Sequence, residues 1–485
     1  MSLASNRMDT TRLITLAGLL VTLLLAALDQ TIVATALPRI TAEFGDIAHY
    51  AWVTTAYLLT STLMVPIAAK LSDQFGRKPL LIVGSVAFLL TSVLCAQAQD
   101  FTQLIGARAL QGLGGGTITA AVFATVPTLF SPADRARIVG LFTGTYGLAS
   151  IIGPLVGGIV TDSVGWRGVF YLNLPLGLVA LVLLVTAYRP AALPLPMRKR
   201  RVDYAGAATL VAGLAPLLVA LSLGGHELTW TSPLLIGLFA FGVAMLLAFV
   251  RIERSASEPI LPLTLVRSRG VGIPTLGMLF LSGGLFATSL FTPLFVQGVI
   301  GSSATRSGSV VAPMMLAFVA GSVVIGQLIA RVPRYRVVGV LGLIAAATGE
   351  WLMSGMGVDT DYGTVARNLV VVGFGLGTAL SAFAIASQNA VDVAQMGVAT
   401  GLGTSGRAIG ATLGSAGFGS LLVARIGADT VSPQVLAGAL HDTFFAAVLV
   451  LLIGAVLVLP LHVAANVRNL VAPLIPAQGQ SEPAA

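Results

Sequence analysis

An aspartate stands inside an apolar run in the stretch LLAALDQTIVATALP, residues 24–38. A charged side chain at the centre of a membrane costs about 2.5–3.5 kcal/mol on insertion scales. Asp29 precedes Pro38, where the run should emerge, by nine residues, which is about 13 Å at ~1.5 Å per residue. A second apolar segment, QLIGARALQGLGGG, carries Arg108 six residues after Thr102, about 9 Å deep by the same rise. We therefore expect a lone acid and a lone base at similar depths in one half of the membrane.

Two roles fit this acid and base. A buried ion pair could do no more than fasten the first span to the fourth. The alternative is a proton site, because burial favours a neutral carboxyl whereas a nearby arginine favours the charged form. We prefer the proton site, since ionisable groups inside membranes usually mark function. Gln111, one turn from Arg108, could supply a further hydrogen bond.

Two more charged residues lie inside apolar segments of the later half of the chain. Arg407 is about eight residues, or about 12 Å, from the cytoplasmic end of its segment, too deep for easy access to the surface. It either faces a cavity as an anion or water contact, or packs against a helix C-terminus. Glu350, in ATGEWLMSG, lies in a helix that would be peripheral in a repeated lobe, so it ranks below Asp29.

The composition excludes a soluble protein. Of 485 residues, 56% are hydrophobic and 9% are charged, with a mean hydropathy of +0.93. Soluble domains carry roughly 25% charged residues. The sequence has no nucleophile–base constellation and no metal-ligand spacing, so we expect neither an enzyme nor a cofactor nor a metal site. Cys95 is the single cysteine, which excludes an internal disulfide.

Apolar stretches of about 20 residues each predict fourteen transmembrane helices. Basic residues concentrate in alternate loops, which predicts that both termini are cytoplasmic. The same bias accounts for the net charge of +8 without a nucleic-acid partner. The first apolar run is too long for a signal peptide, so we expect no cleavage. The predicted spans are 12–36, 49–69, 79–98, 103–126, 137–160, 167–187, 203–223, 232–250, 270–292, 307–330, 337–356, 364–387, 399–423 and 441–464.

Basic connections divide these spans into two six-helix lobes with an inserted helix pair. MRKRR (197–201) follows the sixth span, and RIERSASEPILPLTLVRSRG (251–270) follows the eighth. AKLSDQFGRKPLLIVG (69–84) and GQLIARVPRYRVVGVLG (326–342) echo each other, as in transporters built from repeats around a midplane site. The predicted domains are an N-terminal lobe 1–190, linkers with two extra helices 191–268, a C-terminal lobe 269–465 and a disordered cytoplasmic tail 466–485.

The fifth span is rich in glycine and contains a proline. Glycine lets helices approach closely, and proline removes one backbone hydrogen bond, so the span is suited to tight packing, to bending, or to both. The residues concerned are Gly140, Gly153, Pro154, Gly157 and Gly158.

The short turn KLSDQFGRKP places one acid among three cations. It could serve as a positive-inside anchor, but the acid favours a charge network. Its candidate residues are Asp73, Gly76, Arg77 and Lys78.

These stretches together resemble the fourteen-span drug:proton antiporters of the major facilitator superfamily, a branch of multidrug efflux transporters. The resemblance covers nearly the whole chain. WRGVFYLNLPLG (166–177) and TSGRAIGATLG (404–414) are also typical of the branch, whereas Ala69 and Ala149 replace usual glycines. The matching positions are Asp29, Thr31 and Pro38 in the first span, the four turn residues, Arg108, Gln111 and Gly112 in the fourth span, and the five fifth-span residues.

The resemblance implies a major facilitator fold, an all-α polytopic membrane protein with two six-helix lobes plus two inserted helices. It further implies alternating access driven by the proton gradient across the bacterial plasma (inner) membrane. Asp29 would take a proton from outside and Arg108 would relay or tune it. The turn motif would latch the outward-facing state, with Asp73 near the start of the thirteenth span. Candidate residues of the substrate cavity are Asp29, Gln111, Arg407 and Glu350.

The expected partners are a lipophilic small-molecule substrate, protons and membrane lipids, with no nucleic acid, and we expect a monomer. The later half has no obvious acid facing the cavity, which favours a monovalent or neutral substrate over a divalent cation. Two alternatives stay open. One is a dedicated exporter of a metabolite or lipid, and the other is a membrane sensor or accessory protein that does not transport.

Overall fold

The computed structural model describes residues 10–45, 47–130, 132–189, 204–224, 228–256, 263–331, 334–392, 395–426 and 431–461. Within these ranges the chain is helical, apart from an isolated bridge between Gly224 and Leu228. A π-helical turn, Phe295–Val299, extends α11. The helices are α1 (Thr10–Phe44), α2 (Trp52–Phe75), α3 (Arg77–Gln97), α4 (Phe101–Leu129), α5 (Pro132–Ser163), α6 (Trp166–Tyr171), α7 (Asn173–Ala187), α8 (Tyr204–Leu223), α9 (Pro233–Ser255), α10 (Leu263–Arg267), α11 (Arg269–Leu294), α12 (Ala304–Arg331), α13 (Tyr335–Ser354), α14 (Tyr362–Asn389), α15 (Met396–Ile426) and α16 (Pro433–Val458).

Thirteen helical segments in the described ranges are long and apolar enough to cross a membrane. Helices α6 and α7 together form one of them, Trp166–Ala187. The seventh predicted span, 203–223, corresponds to α8, whose apolar stretch Ala205–Leu221 is shorter than the others. The chain is thus a multi-pass membrane protein, as expected, while the fourteenth crossing stays a prediction.

The helices form two halves with the same pattern of packing. In the first half α1 packs on α5 and α7, while α4 packs on α2 and α3. In the second half α11 packs on α15 and α16, while α14 packs on α12 and α13. Helices α8 and α9 pack on each other, and α8 touches both α2 and α15. The inserted pair therefore lies beside the seam between the halves. The exact domain limits stay predictions, because 190–203 and 462–485 fall outside the described ranges.

The sequence echo between the halves corresponds to the same contact made twice. Lys78, the second residue of α3, donates from Nζ to the Val185 carbonyl near the end of α7, at 2.9 Å. Arg336, the second residue of α13, donates from Nη1 to the Leu459 carbonyl at the end of α16, at 3.5 Å. Both cations bind carbonyls at a helix C-terminus, where the helix dipole favours positive charge.

The two halves are joined at the end of the bundle where α5 finishes and α12 begins. The Asp162 carboxylate accepts hydrogen bonds from the backbone N–H groups of Ala304 at 3.2 Å and Thr305 at 2.7 Å. Nearby, the Tyr50 hydroxyl donates to the Leu290 carbonyl at 2.8 Å. The first half therefore supplies an acidic cap to the first turn of a second-half helix.

Helices α5 and α12 separate toward the opposite end. A Cβ added at Gly308 of α12 would overlap the carbonyl of Pro154 on α5. Gly147 and Gly140 follow on the same edge of α5 at seven-residue spacing, and a Cβ at either would meet no atom within 4 Å. Along this edge of α5, the two halves of the chain are in contact near Pro154 and apart near Gly140.

Candidate functional site

The acid and the base singled out in the sequence meet directly. Arg108 Nη1 of α4 donates to Asp29 Oδ2 of α1 at 2.6 Å, and each side chain is 1% exposed. The sequence predicted similar depths for these two residues, and in the structure they form one buried ion pair. A pair this deep is strongly coupled, because little water is present to screen its charges.

Three polar side chains complete the surroundings of the Asp29 carboxylate. Oδ1 accepts from Gln111 Nε2 at 3.1 Å and from Asn173 Nδ2 at 2.9 Å. Both amides also donate to Ser92 Oγ, at 2.7 and 3.1 Å. Gln111 Oε1 in turn accepts from Arg108 Nη1 at 2.5 Å. Helices α1, α3, α4 and α7 thus converge on one carboxylate, which we call the Asp29 network.

The donors to Asp29 in this conformation are all N–H groups. They belong to one arginine and two side-chain amides, and such groups cannot accept a hydrogen bond. Together they use three of the four lone-pair positions of the two carboxyl oxygens. The Asp29 network therefore supplies three donors and one positive charge to this carboxyl group.

Arg108 also fastens α4 to α2. Its Nε donates to the Val53 carbonyl at 3.3 Å, and its guanidinium carbon lies 4.3 Å from the centre of the Tyr57 ring. The Phe170 ring of α6 lies 6.0 Å away. Stacking on aromatic faces stabilises a desolvated guanidinium. Gly112 permits this approach, because a Cβ there would overlap the Tyr57 carbonyl.

The fifth-span glycines form the seam between α5 and α1. A Cβ at Gly153 would overlap Thr31 Oγ1, and one at Gly157 would lie 2.7 Å from the Ile32 carbonyl oxygen. The Thr31 hydroxyl also reaches the Ala149 carbonyl at 3.1 Å. The helix that carries Asp29 is therefore tightly packed against α5.

Two further members of the fifth-span motif face α12. A Cβ at Gly158 would overlap the Ala304 carbonyl, and the Pro154 carbonyl is in contact with Gly308. Gly140, the remaining member, meets no atom within 4 Å. One edge of α5 consequently contacts α1 and another contacts the second half of the chain.

The turn between α2 and α3 is built on Gly76, whose φ of +90° lies in the region that favours glycine. Arg77 starts α3, and Lys78 binds the end of α7. The Asp73 side chain lies outside what the structure describes, so the expected charge network and the contact with the thirteenth span stay predictions.

The remaining candidates lie apart from the Asp29 network. Glu350 is fully buried on α13 and contacts Thr288 Oγ1 of α11. Arg407 on α15 is half-buried, and its Nε has no hydrogen-bond partner among the described residues. Arg407 lies within electrostatic reach of Tyr146 on α5. Among the described residues, neither side chain is hydrogen-bonded to Asp29, and their place in a substrate cavity stays a prediction.

Ser92, Asn173 and Tyr57 belong to the site but were not predicted as site residues. Asn173 left a usable signal, because it is an amide inside the otherwise apolar span Trp166–Ala187. Serine and tyrosine are too common in membrane helices to stand out. Cys95 is buried, with its Sγ 3.5 Å from Gln111 Oε1.

A two-lobed helical bundle with a buried charge network between its helices is the architecture of a membrane transporter. The described residues contain no cluster of potential metal ligands. Residues 19–415 match the model of the Major Facilitator Superfamily, and the chain belongs to this family. The predicted superfamily is confirmed, and family and fold indicate a transporter rather than an enzyme.

Three curated relatives are similar over most of the chain. The Multidrug resistance protein 3 of Bacillus subtilis is 38% identical over 428 residues, which cover 88% of this chain and 81% of that protein. The Multidrug transporter protein MdtP of the same organism is 35% identical, over 88% of this chain and 78% of its own length. The Efflux pump dotC of Dothistroma septosporum is 32% identical, over 81% of this chain and 67% of its own.

Among solved structures, a bacterial homologue of the human lysosomal transporter Spinster, in an inward-facing and unoccupied conformation, has the same fold. The TM-score is 0.69 at 18% identity, and the match covers 94% of this chain and 97% of that one.

Proposed function

We propose that this protein is a proton-coupled antiporter that exports lipophilic small molecules across the bacterial plasma membrane. The observation that carries the proposal is the Asp29 network, a buried carboxyl group in an apolar helix that accepts hydrogen bonds from three N–H donors among the described residues. Its relatives are named as multidrug transporters and an efflux pump, which supports drugs as the substrate class.

Proton binding at Asp29 would move helices because it breaks the donor pattern. A neutral Asp29 no longer balances the charge of Arg108, and one of its oxygens no longer accepts from an N–H group. Arg108 and Gln111 on α4 and Asn173 on α7 must then find new acceptors. The Asp29 network would therefore convert a proton into a displacement of α1 relative to α4 and α7.

The displacement would reach the second half through contacts that α1 already makes. Gln297, in the π-helical turn after α11, donates from Nε2 to the Thr35 carbonyl at 2.9 Å. Thr35 lies six residues beyond Asp29 on α1, and a Cβ at Gly157 of α5 would overlap its Oγ1. Movement of α1 thus acts on both the α11 contact and the α5–α12 seam, which together close one end of the bundle.

The closed end carries the loops predicted to be extracellular, so we assign this conformation as inward-facing. A lipophilic substrate would enter between the separated parts of α5 and α12 from the cytoplasmic side or the inner leaflet. Proton loading at Asp29 from outside and substrate release would then belong to the opposite, outward-facing state.

Transport by purified protein in liposomes tests the proposal. A pH gradient is imposed, and the movement of a lipophilic fluorescent dye is followed for wild type, Asp29→Asn and the control Asp359→Asn, which changes an exposed loop aspartate. We expect the gradient to drive dye movement in wild type and in the control, and to have no effect in Asp29→Asn. Gradient-dependent transport that persists in Asp29→Asn contradicts the proposal.

A purely structural ion pair is the second candidate, because both members are fully buried and hydrogen-bonded. The exchanged variant, Asp29→Arg with Arg108→Asp, separates the two roles. A structural pair predicts recovered function in the exchanged variant, whereas a proton site predicts an inactive protein. If the protein is instead a dedicated exporter of a metabolite or lipid, none of the lipophilic dyes tested should elicit gradient-dependent proton movement.

A further inference from the structure

Glu350 is a fully buried carboxyl group that the Asp29 network does not use. We propose that Glu350 is a second proton-binding site, placed in the second half of the chain, and that it holds its proton in the conformation in which Asp29 is ionised. Its part in coupling rests on the proposed function, whereas its protonation does not.

The surroundings of Glu350 contain no partner for a negative charge among the described residues. Its Oε2 is buried without a hydrogen bond, and its Oε1 contacts Thr288 Oγ1. An ionised carboxylate in such a place bears its full desolvation cost, whereas a neutral carboxyl bears much less. Protonation is therefore the form that this environment tolerates.

Charged and titratable groups on two of the helices packed against α13 have other partners: on α16, Asp442 pairs with Arg425 at 2.8 Å, and on α14, the Tyr362 hydroxyl contacts Ser309. On α14, Arg367 contacts Asn368 Oδ1 at 3.2 Å. On α16, His441 Nδ1 contacts the Ser354 carbonyl at 2.7 Å, one turn beyond Glu350 at the closed end of the bundle. On α11, the contact with Glu350 is a neutral hydroxyl, Thr288.

The hydrogen bonds of Thr288 give an independent argument for the proton. Its Oγ1 lies 3.1 Å from the Gly284 carbonyl, one helical turn back, and also contacts Glu350 Oε1. A hydroxyl has one hydrogen, so it cannot donate fully to both acceptors. If Thr288 donates to the carbonyl, Glu350 must donate to Thr288. A protonated Glu350 satisfies both contacts, whereas a carboxylate leaves two acceptors competing for one hydrogen.

Acids and hydroxyls occupy matching positions in the two halves when residues are counted from the first described residue of each helix. Asp29 lies nineteen residues after Thr10 of α1, and Thr288 lies nineteen after Arg269 of α11. Ser92 lies fifteen residues into α3, and Glu350 fifteen into α13. The two halves thus place one acid and one hydroxyl at equivalent positions, with the two exchanged between the helices.

The cation of the first half has no counterpart at the equivalent position. Arg108 lies seven residues after the start of α4, and the residue seven after the start of α14 is Leu369, which is fully buried. In the second half the acid is on the third helix of the lobe, and a buried leucine stands at the position that matches Arg108. A carboxyl group kept without its cation fits a proton carrier better than it fits an ion pair.

Infrared spectroscopy of the full-length protein in detergent tests this inference. The absorption of protonated carboxyl groups is compared in wild type, Glu350→Gln and two controls. The first control is Asp29→Asn, and the second is Glu253→Gln, which alters another buried glutamate. We expect a protonated-carboxyl band in wild type that both controls keep and Glu350→Gln loses. Thr288→Val should shift the band, because it removes the hydrogen-bonding hydroxyl.

A second measurement needs no variant and covers the case in which Glu350→Gln does not fold. Wild type is produced with carbon-13 in the glutamate carboxyl groups, and a band that shifts on labelling arises from glutamate. The band should weaken as pH rises and on addition of a lipophilic dye. A band that does not shift, or one that stays constant over all conditions in which the protein is folded, overturns the proposal. Loss of gradient-driven transport in Asp29→Asn is scored separately, so the two proposals fail independently.

Discussion

The pairing of Asp29 with Arg108 predicts a large energetic coupling between the two side chains. The relevant variants are Asp29→Asn, Arg108→Met and the double variant that combines both. Each single variant leaves the other side chain buried without its counter-charge, whereas the double variant removes both charges. Methionine keeps most of the arginine length, so packing against Tyr57 changes little.

The structure allows the size of the coupling to be estimated. With about 4 Å between charge centres and an effective dielectric constant of about 20, the attraction is ~4 kcal/mol. Removing one member of a buried pair typically costs about 3–5 kcal/mol. The double variant also loses the Arg108 contacts with Val53, Gln111 and Tyr57, but the single Arg108→Met variant loses the same contacts, so they cancel in the cycle. We therefore expect the double variant to be more stable than the sum of the single effects by about 3 kcal/mol or more.

Reversible unfolding in mixed micelles, followed by tryptophan fluorescence, measures the four free energies of unfolding that the cycle needs. The control cycle uses Arg167 and Glu43, which lie 2.7 Å apart and whose side chains are 40% and 45% exposed. The coupling energy of this exposed pair should be less than about 1 kcal/mol. The reasoning would be refuted if the effects of Asp29→Asn and Arg108→Met on the free energy of unfolding were additive in the double variant. It would also be refuted if each single variant had a free energy of unfolding within about 1 kcal/mol of wild type.

Three further predictions concern the seams and ends of the helices. Gly157→Ala should lower the free energy of unfolding by about 1–3 kcal/mol, because the new Cβ would lie 2.7 Å from a backbone oxygen of α1, whereas Gly147→Ala has open space and should not lower it. Asp162→Asn should weaken the closed end by about 1 kcal/mol, or roughly fivefold in population, because its carboxylate caps α12. Spin-label distances between α5 and α12 would measure that change, and unchanged distances would contradict it. The pKa of Asp361 lies below its usual value, because the side chain and then the backbone N–H of Thr364 donate to it. The ionised Asp361 side chain therefore stabilises the first turn of α14 above the usual carboxyl pKa, and this stabilisation is lost as pH falls through the lowered pKa of Asp361. Asp361→Ala should accordingly speed amide exchange there at neutral pH, and not in strong acid.

Much of the fold follows from the sequence because membrane helices are long and apolar. The order of the spans was predictable, but their ends were less so: the helix predicted at 12–36 is Thr10–Phe44, and the one predicted at 441–464 is Pro433–Val458. Gly76, whose positive φ separates α2 from α3, lies within the predicted break between 69 and 79. The break between α6 and α7 was not predictable, since both belong to one continuous apolar segment. Hydropathy likewise does not fix whether α8 crosses the membrane, because its apolar stretch is short and its ends lie near the linkers.

The site was predictable only where an ionisable side chain stands in an apolar run. Depth estimates along two helices were sufficient to place Asp29 and Arg108 at similar depths, because rise per residue is constant, but not to show that the two side chains pair directly. They were not sufficient to add Asn173 and Ser92, which reach Asp29 from helices that no spacing rule connects to α1. The separation of Arg407 and Glu350 from Asp29 also depends on tertiary packing.

The two halves differ in chemistry at equivalent positions, and this difference bears on how a transporter of this design could couple a proton to movement. In the first half, the charged acid is satisfied by an arginine and two amides, so the present conformation is stable without a proton at Asp29. In the second half, the equivalent helices hold an acid with one hydroxyl contact, so the same conformation requires a proton at Glu350. A rearrangement that protonates one acid and exposes the other would leave the number of buried charges low in both end states. Opposite proton movements at the two acids would cancel within one transport cycle, so coupling to the gradient requires that Glu350, like Asp29, releases its proton on the cytoplasmic side.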